Sequence, residues 1–284
     1  MMLFYLFVNG KYGKINKSKD VIDVKITILA SGSKGNCTLI ETENSKFLID
    51  IGISYKMLKY RLTKINVKIE EIDAIFITHE HIDHIKGLEI FIKKHNVYIV
   101  LSHGTYQAIV GEKRIGITYE YFNVVERNEE VFVNSTVIKP FLVSHDANEP
   151  FGYIVKNNEK KVVYLTDSGY ISQENEKLIS DAGVYIIETN HNIEMLMCTN
   201  RTWSLKQRIL GDKGHLCNED ALNTLLRVIS EKTKVIYLAH ISEEANNEDL
   251  LLLTVKEIFA DCVYNENIKF IVAKQYEISE SISI

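Results

Sequence analysis

The stretch FITHEHIDHIKGL, residues 76–88, holds His79, His81, Asp83 and His84 within six positions. Only nine histidines occur in the 284 residues, so a third of them lie here. The run directly before them, DAIFIT, is short and apolar, which is typical of a buried strand. Residues two apart at a strand end point to the same side, so His79 and His81 can bind one ion. Asp83 and His84 come one turn later and can face a second ion, which predicts a metal site.

Two coordination spheres require further ligands, and three candidates follow other predicted strands. His145 follows VIKPFLVS, Asp167 follows KVVYLT, and His240 follows KVIYLA. For any one of them, a structural hydrogen-bonding role is an equal alternative. Their shared placement directly after apolar strands favours one site built at sheet edges. Neutral imidazole and carboxylate are ligands that suit Zn²⁺, Mn²⁺ or Fe²⁺.

The chain reads as strands first and as mixed strands and helices later. This order indicates two sheets with helices packed outside them. The apolar patterns predict strands at 25–30, 37–42, 46–51, 73–78, 97–101, 136–143, 151–156, 161–166, 234–239 and 268–273. They predict helices at 54–64, 172–180, 202–210, 218–230 and 247–259, the fourth with Asn218 as its N-cap.

The composition is that of a globular protein with one continuous domain. Hydrophobic residues make up 46% and charged residues 25%, and only two prolines occur. A net charge of −5 argues against a basic surface over the whole molecule, although it permits a local basic patch. The four cysteines form no CxxC and indicate reduced thiols. The apolar start MMLFYLFV lacks signal-peptide features, so we expect a cytoplasmic protein with no membrane partner.

The set formed by HxHxDH at 79–84, His145, Asp167 and His240 resembles, in order and spacing, the metal motifs of the metallo-β-lactamase superfamily. The resemblance implies an α/β fold, namely a four-layer αβ/βα sandwich of two mixed β-sheets flanked by helices. It also implies two divalent ions per chain, Zn²⁺ or Mn²⁺, with Fe²⁺ as a further candidate. The implied ligands are His79, His81 and His145 for one ion, Asp83, His84 and His240 for the other, and Asp167 as a bridge.

Further stretches narrow the resemblance. They are LASGSKGNC (29–37), FLIDIGIS (47–54), VSHDANEPFGY (143–153), LTDSGY (165–170), ETNHNIEML (188–196), GHLCNEDA (214–221) and LAHISEEANN (238–247). Together with the histidine run they are similar to the YycJ-like branch, which implies a DNA exonuclease directed at 5′ ends. Cys217, where a serine is expected, and the segment 1–24, an N-terminal extension, depart from that branch. Residues 25–284 would then be a single hydrolase domain, without an inserted cap domain because only 48 positions separate Asp167 from His215.

A pair of divalent ions predicts hydrolysis, because it lowers the pKa of a shared water from ~15.7 toward ~7. We expect a hydroxide that bridges the ions to attack a phosphodiester in line, with Asp83 orienting it. His215 would stabilise developing charge or protonate the leaving oxygen. Its surroundings are similar to the GHS-type motif of the tRNA-processing zinc phosphodiesterases, where a downstream acid, here Glu219 or Asp220, supports the histidine. A helix-capping histidine is the alternative interpretation.

The substrate is indicated by weaker signals. Backbone phosphates need local positive charge, and one basic segment leads directly to His215. Its cations are Arg201, Lys206, Arg208 and Lys213. An ordinary solvated amphipathic helix is an equal alternative for this segment. Trp203, the only tryptophan, could stack on a base, although a core position is the stronger expectation.

Three other residues are candidates for contact with the substrate. Ser33 and Asn36 lie in the turn SGSKGN, which lacks the ending of a Walker A loop. They could contact a phosphate if that turn lies near the metals. His191, in ETNHNIEML, is a candidate because the resemblance includes it. His95 and His103 match no metal motif and are expected at the surface.

The sequence therefore predicts a dinuclear phosphodiesterase acting on nucleic acid, most strongly a DNA exonuclease. An RNA-processing phosphodiesterase of the tRNase Z type is the first alternative, although no tRNA-gripping arm is visible. A lactone or thioester hydrolase is the second, although it would have little use for the basic segment 201–213. A non-catalytic module would be expected to have lost ligands, and none of the predicted ligands is missing.

Overall fold

The computed structural model of the protein describes residues 4–6, 24–111 and 120–284. Of the predicted N-terminal extension, residues 1–24, all but 4–6 and 24 lie outside the described residues. Within the described ranges, no helix is long and apolar enough to cross a membrane.

The described residues form fifteen strands and nine α-helices. The strands are β1 (Phe4–Leu6), β2 (Lys25–Ala30), β3 (Cys37–Glu41), β4 (Lys46–Ile49), β5 (Ala74–Phe76), β6 (Tyr98–Ser102), β7 (Phe122–Val125), β8 (Val131–Val133), β9 (Thr136–Leu142), β10 (Phe151–Asn157), β11 (Lys160–Leu165), β12 (Val184–Glu188), β13 (Val235–Ala239), β14 (Lys269–Val272) and β15 (Ile282–Ser283). The α-helices are α1 (Tyr55–Lys64), α2 (Ile82–Ile85), α3 (Leu88–Ile92), α4 (His103–Gly111), α5 (Gln173–Ile179), α6 (Ile193–Cys198), α7 (Trp203–Leu210), α8 (Asn218–Val228) and α9 (Glu248–Ile258). Short 3₁₀ turns lie at Ile69–Glu71 and Asn265–Asn267.

The described strands form two mixed sheets. One has the order β15-β2-β3-β4-β5-β6-β7, antiparallel from β15 to β4 and parallel from β4 to β7. The other has the order β1-β8-β9-β10-β11-β12-β13-β14, antiparallel from β8 to β11 and parallel from β11 to β14. Strand β1 adds to its edge parallel to β8.

Alternating side chains separate the molecule into four layers. In β4, Phe47 and Ile49 face the other sheet, whereas Leu48 faces α1 and α3. In β12, Ile186 faces the first sheet, whereas Tyr185 faces α8 and α9. Both faces of the central strands are therefore apolar, as expected where helices cover a sheet. The predicted sandwich of two mixed sheets flanked by helices is confirmed.

The predicted elements are all present, with ends shifted by at most two residues. The strands β1, β7, β8, β12 and β15 and the short helices α2, α3, α4 and α6 were missed, because runs of two to nine residues give little periodicity. The predicted N-cap of α8 was wrong. Asn218 is the first helical residue, and Cys217 is the cap, with its Sγ accepting from the Asp220 N–H at 3.4 Å. Cysteine thus fills the capping position at which a serine was expected.

The carboxyl ends of the parallel strands meet at one edge of the sandwich. Asp50 follows β4, and Thr78 and His79 follow β5 in the first sheet. In the second sheet Asp167 follows β11 and His240 follows β13. Open sheets place their functional groups at such carboxyl ends. The stretch between Asp167 and His215 forms α5, β12, α6 and α7, and the absence of a cap domain stays a prediction.

Gly52 allows the first sheet to approach the histidine run closely. The N–H of Asn36 donates to the Asp83 carbonyl at 2.7 Å, and the N–H of Gly52 donates to the Asn36 carbonyl at 2.8 Å. A Cβ on Gly52 would lie 1.6 Å from the Asp83 oxygen and 2.6 Å from the Asn36 nitrogen. Both atoms belong to the backbone, so relieving the contacts would displace the start of α2 and the turn before β3.

We expect Gly52→Ala to lower the free energy of unfolding by about 1–3 kcal/mol or more, the usual cost of overpacking. Because the clash falls on Asp83, bound metal should decrease as well. Denaturant unfolding and metal analysis would measure both effects. Gly111→Ala is the matched control, since no described atom lies within 4 Å of its added Cβ. Equal stability of the two variants would contradict this account of Gly52.

Candidate metal centre

Six histidines and three acids converge at the carboxyl edge of the two sheets. The histidine run arrives from the end of β5 and the start of α2 in the first sheet. The remaining groups arrive from loops after β9, β11, β13 and α7 and from the end of β12. The converging side chains are His79, His81, Asp83, His84, His145, Asp167, Glu188, His215 and His240. All seven predicted ligands are therefore brought together.

Three imidazoles form the first group. His79 Nε2 lies 3.0 Å from His81 Nδ1, and His145 Nε2 lies 3.3 Å from the same atom. One nitrogen from each ring lies within 4.8 Å of the others. These are the three residues that the resemblance implied for one ion.

Asp83, His84 and His240 form the second group. His84 Nε2 lies 3.5 Å and His240 Nε2 lies 3.6 Å from Asp83 Oδ2. The three donor atoms again lie within 4.8 Å of one another. This set matches the residues implied for the second ion.

Asp167 lies between the two groups. Its Oδ2 is 3.2 Å from His84 Nε2, and its Oδ1 is 3.3 Å from His240 Nε2 and 3.9 Å from His145 Nε2. Asp167 is 2% exposed, so its carboxylate can meet only groups of the cluster. Both oxygens therefore lie near a nitrogen of the second group, and Oδ1 also lies near one of the first. A carboxylate in contact with both groups is the arrangement expected of a bridging ligand.

The second ring nitrogen of each of four histidines is held by the protein. His84 Nδ1 lies 2.7 Å from Asp50 Oδ2, and His240 Nδ1 lies 3.1 Å from Glu188 Oε1. Nδ1 of His145 lies 3.1 Å from the Gly214 carbonyl, and Nδ1 of His79 lies 3.0 Å from Thr78 Oγ1. Such contacts fix ring orientation and leave Nε2 free to bind a metal.

The protonation tendencies differ between the two groups. Burial lowers the pKa of His79, His81 and His145, so these rings are neutral and keep a lone pair for a metal. Burial also opposes a charge on His84 and His240. Surrounding carboxylates, Asp50 for the first and Asp167 for the second, outweigh that effect and raise both pKa values, for His240 to about 10.

The acids of the centre are ionised. Burial alone would raise the pKa of Asp83 and of Asp167. Neighbouring histidines reverse that effect and hold both pKa values well below the usual range. Carboxylates and buried imidazoles thus balance each other's charge, and a divalent cation is the natural replacement for protons among them.

Backbone strain marks the same edge. Asp50, Asp167 and His240 have φ values of 62°, 56° and 51°, in the left-handed region. Residues other than glycine are uncommon there and cost of order 1–3 kcal/mol each. Asp50 and His240 directly follow a strand and Asp167 lies two positions after one, so each strained residue turns its side chain towards the cluster at a strand end. Such strain concentrates at functional sites.

The donor set fits divalent metal. His240 Nε2 and Asp167 Oδ2 are buried and have no hydrogen-bond partner among the described residues. His81 Nδ1 lies 3.0–3.3 Å from Nε2 of His79 and of His145, and a neutral ring can donate one proton to only one of them, so a lone pair is left without a donor. A cation shared by these atoms resolves both observations, and histidine with carboxylate suits first-row divalent ions.

His215 lies beside Asp167 with part of its surface open. Its Nδ1 is 2.7 Å from Glu188 Oε1 and 3.8 Å from Asp167 Oδ1, and its side chain is 19% exposed. Burial disfavours its charged form, but Glu188 outweighs burial and raises its pKa. The expectation that Glu219 or Asp220 supports His215 was wrong. The supporting acid is Glu188, at the end of β12.

Glu188 and Asp50 were not predicted as site residues, although they lie in ETNHNIEML and FLIDIGIS, two stretches that carry the family resemblance. Glu188 contacts His215 and His240 and accepts from the Ser168 N–H at 2.9 Å, and it is fully buried. Asp50 is fully buried and accepts from the Thr78 N–H at 2.8 Å. Each follows or ends an apolar strand, so the rule that found Asp167 would also have found them.

The predicted phosphate-binding cations do not form one surface. Lys206 is 8% exposed, and its ammonium donates to the Met197 and Thr199 carbonyls at 2.6 and 2.8 Å. This position of Lys206 differs from the predicted substrate contact, because its ammonium is bound by backbone carbonyls at the end of α6. Arg208 pairs with Asp146, and Arg201 donates to Glu244 at 2.9 Å. Lys213 is exposed.

Other candidates also lie differently from expectation. Trp203 is 57% exposed, so the expected core position was wrong. Asn36 is 1% exposed, with its Nδ2 3.1 Å from His84 Nε2, which places it against the cluster rather than on a phosphate-binding surface. His191 is 1% exposed, and burial lowers its pKa to about 4. Ser33 is exposed in the turn before β3.

The histidines that matched no motif lie away from the centre. Nε2 of His95 lies 2.9 Å from the Tyr55 hydroxyl, and Nε2 of His103 lies 2.8 Å from Gln107 Nε2. His103 is exposed and His95 is half-buried.

Comparison with known proteins agrees with this geometry. The profile of the Beta-lactamase superfamily domain matches residues 45–241. Exodeoxyribonuclease WalJ of Streptococcus pneumoniae serotype 2 (strain D39) is 40% identical over 235 residues, which are 82% of this chain and 87% of WalJ. Exodeoxyribonuclease YycJ of Bacillus anthracis is 36% identical over 236 residues, 83% and 89% of the two chains. The solved metallo-β-lactamase-fold protein YhfI of Bacillus subtilis superposes with a TM-score of 0.66 at 16% identity, covering 90% of this chain and 98% of YhfI.

The fold and the cluster define a metal-dependent hydrolase of the metallo-β-lactamase fold. The chain belongs to the β-lactamase superfamily, and within it to the branch that contains WalJ and YycJ. The histidine and aspartate groups indicate divalent metal as its cofactor.

We expect metal removal to destabilise the protein. An ion that binds only the folded state adds about 2.7 kcal/mol at a hundred times its Kd, which corresponds to about 5 °C or more in Tm. Chelation should lower Tm, and adding Mn²⁺ or Zn²⁺ should restore it in a concentration-dependent manner. Differential scanning fluorimetry would measure the shift.

His81→Asn should lower bound metal by about half, because it removes one ligand from the first group only. His103→Asn is the matched control and should leave metal content unchanged, since His103 contacts Gln107 instead. Equal metal content in both variants would exclude the first group as a metal site.

Proposed function

We propose that the protein is an exodeoxyribonuclease that hydrolyses DNA phosphodiesters with two divalent ions, and that its 5′ end preference follows its branch. The observation that carries the proposal is Asp167, whose carboxylate contacts both groups of ligand atoms while the partly exposed His215 lies beside it. Support for DNA comes from WalJ and YycJ, which carry the name exodeoxyribonuclease. A cytoplasmic location and a single domain over 25–284 stay predictions.

Each ion would have its own residues. His79, His81 and His145 would hold one ion. Asp83, His84 and His240 would hold the other, and Asp167 would be shared by both. When bound, two such ions, with Zn²⁺ and Mn²⁺ as the candidates, supply a water activated near neutral pH and neutralise charge on the phosphate.

The chain's own residues would do the rest. Asp83, whose side chain is 18% exposed at the edge of the second group, can accept a hydrogen bond from the attacking water and so orient it. The Nδ1–H of His215 donates to Glu188, which directs Nε2 of the same ring away from that acid. Because the Glu188 carboxylate raises its pKa, the protonated form of His215 is favoured, and this form can give a proton to the leaving oxygen.

The alternatives are weighed by the same contacts. An enzyme of the tRNase Z type would use the same kind of metal centre. The relatives at 36–40% identity, however, are named exodeoxyribonucleases and not ribonucleases. A lactone or thioester hydrolase would use the same ions. Such a hydrolase would need a protonated histidine, held by the fully buried Glu188, only if its leaving group also required a proton.

The substrate is tested by one panel. The metal-loaded protein would be offered end-labelled single-stranded and duplex DNA, structured RNA, and a set of lactones and thioesters. We expect stepwise shortening of DNA from the 5′ end and slower action on the rest. Inert DNA together with fast lactone turnover would refute the proposal, and preferred cleavage of RNA would support the first alternative.

The role of His215 is tested separately. His215→Asn should lower kcat on DNA by about 10²–10⁴-fold, the usual contribution of a positioned acid, while metal content stays the same. His103→Asn should retain full activity. Loss of metal in His215→Asn would show that His215 is a ligand instead of an acid.

A further inference from the structure

A cavity of about 500 Å³ opens next to the candidate metal centre. Asp83 belongs to both, because its carboxylate joins the second ligand group while the residue lines the cavity. The other walls come from the turn after β2, from α1 and α2, and from the chain after β14. The volume falls within the range of ~300–1,000 Å³ typical of sites for small ligands.

The cavity carries an excess of positive charge. Arg61 is 5% exposed, and its guanidinium donates to the carbonyls of Leu29 and Gln275. Among the described residues, no carboxylate pairs with it. A buried cation without a counter-charge is costly, and a bound anion would lower that cost.

Two lysines add to this charge. Lys86 is exposed, and its ammonium has no partner in the described part of the chain. Lys34 pairs with Glu243 and donates to the Tyr276 hydroxyl at 2.6 Å, at an exposed position. Exposed pairs of this kind contribute little, so Lys34 can exchange Glu243 for a phosphate. The acid on the cavity wall is Asp83, whose charge is used in the ligand group.

Large apolar side chains surround these cations. Tyr276 is 63% exposed, Ile82 is 68% exposed and Met57 is 41% exposed, and all three line the cavity. Exposed aromatic and apolar faces among cations are how proteins hold single-stranded nucleic acid, with the base stacked and the phosphate paired. A simple anion would have no use for these faces.

We propose that this cavity binds the nucleotide adjoining the scissile phosphodiester, with its base on Tyr276 and its phosphate towards Lys86, while the buried Arg61 adds positive charge from the cavity wall. This inference rests on the proposed nuclease function and names the substrate subsite of the same centre. The path of the strand then crosses the start of α2 and not α7. On α7, the Lys206 ammonium donates to backbone carbonyls, and Arg208 pairs with Asp146.

The proposal is tested by detecting whether the terminal bases of a DNA strand stack on Tyr276. A DNA oligonucleotide with phosphorothioate links, which slow cleavage, would carry the fluorescent base 2-aminopurine at the first or second position from its end. Binding to the metal-loaded wild-type protein should quench the fluorescence at one of these positions, because stacking on Tyr276 quenches this base. KM for unmodified DNA would be measured in parallel.

Tyr276→Ala should abolish the quench and raise KM about fivefold or more, the low end of the range for loss of base stacking. Tyr276→Phe keeps the ring and should retain both. Lys86→Glu should raise KM severalfold, whereas Lys256→Glu, the same change on an exposed position of α9, should not. All three positions are exposed, and a thermal melt with metal analysis would confirm that each of the four variants is folded and loaded.

The outcomes separate the two proposals. A wild-type protein that is inert on DNA would overturn the nuclease function and this subsite together. An active wild type, with unchanged quench and KM in both Tyr276→Ala and Lys86→Glu, would overturn the subsite alone. Loss of the quench in Trp203→Ala, with Tyr276→Ala unaffected, would place the strand on α7 and also overturn it.

Discussion

Burial of charge at the junction of two sheets is the constraint on which this molecule depends. Asp50 and Glu188 are fully buried, and each would be costly to bury if it lacked a partner. Each is held by imidazole nitrogens, Asp50 by His84 at 2.7 Å and Glu188 by His215 at the same distance. The first pair joins β4 to the histidine run, and the second joins β12 to the loop before α8. The contacts that orient the centre therefore also connect the strand ends.

Glu188 makes the metal centre and the acid interdependent. One oxygen of this carboxylate contacts Nδ1 of both His215 and His240, at 2.7 and 3.1 Å. A candidate ligand and a candidate proton donor thus share one acceptor, so a change in the charge of either ring alters the other. The backbone N–H groups of Ser168 and Leu216 fix the remaining oxygen, at 2.9 and 3.3 Å. Glu188 can therefore not follow one ring away from the other.

Much of the centre could be predicted because one simple rule applies to it. Polar side chains that directly follow apolar strands meet at one sheet edge, and the rule found His145, Asp167 and His240. It missed Glu188, because the strand VYIIE was not recognised in a region read mainly as helical. The acid that supports His215 was sought nearby in sequence, but it lies 27 positions away on a neighbouring strand. Periodicity identifies strands and helices, whereas the partner of a buried group depends on how those elements pack.

Substrate contacts could not be predicted in the same way. The sequence shows where Lys and Arg residues occur, but only the fold shows which of them are already paired with other groups of the protein. The segment 201–213 is rich in Lys and Arg, yet Arg201, Lys206 and Arg208 are occupied by Glu244, by carbonyls and by Asp146. Lys86 was not predicted to contact the substrate, yet it is exposed on the cavity wall and lacks a partner among the described residues. Arg61, like Lys206, has only carbonyl partners there, but Arg61 lines the cavity beside Asp83. Electrostatic attraction for a phosphate depends on charge left uncompensated after folding. By that measure, the side of the centre formed by α1, α2 and the chain after β14 is the stronger site for a nucleic-acid strand.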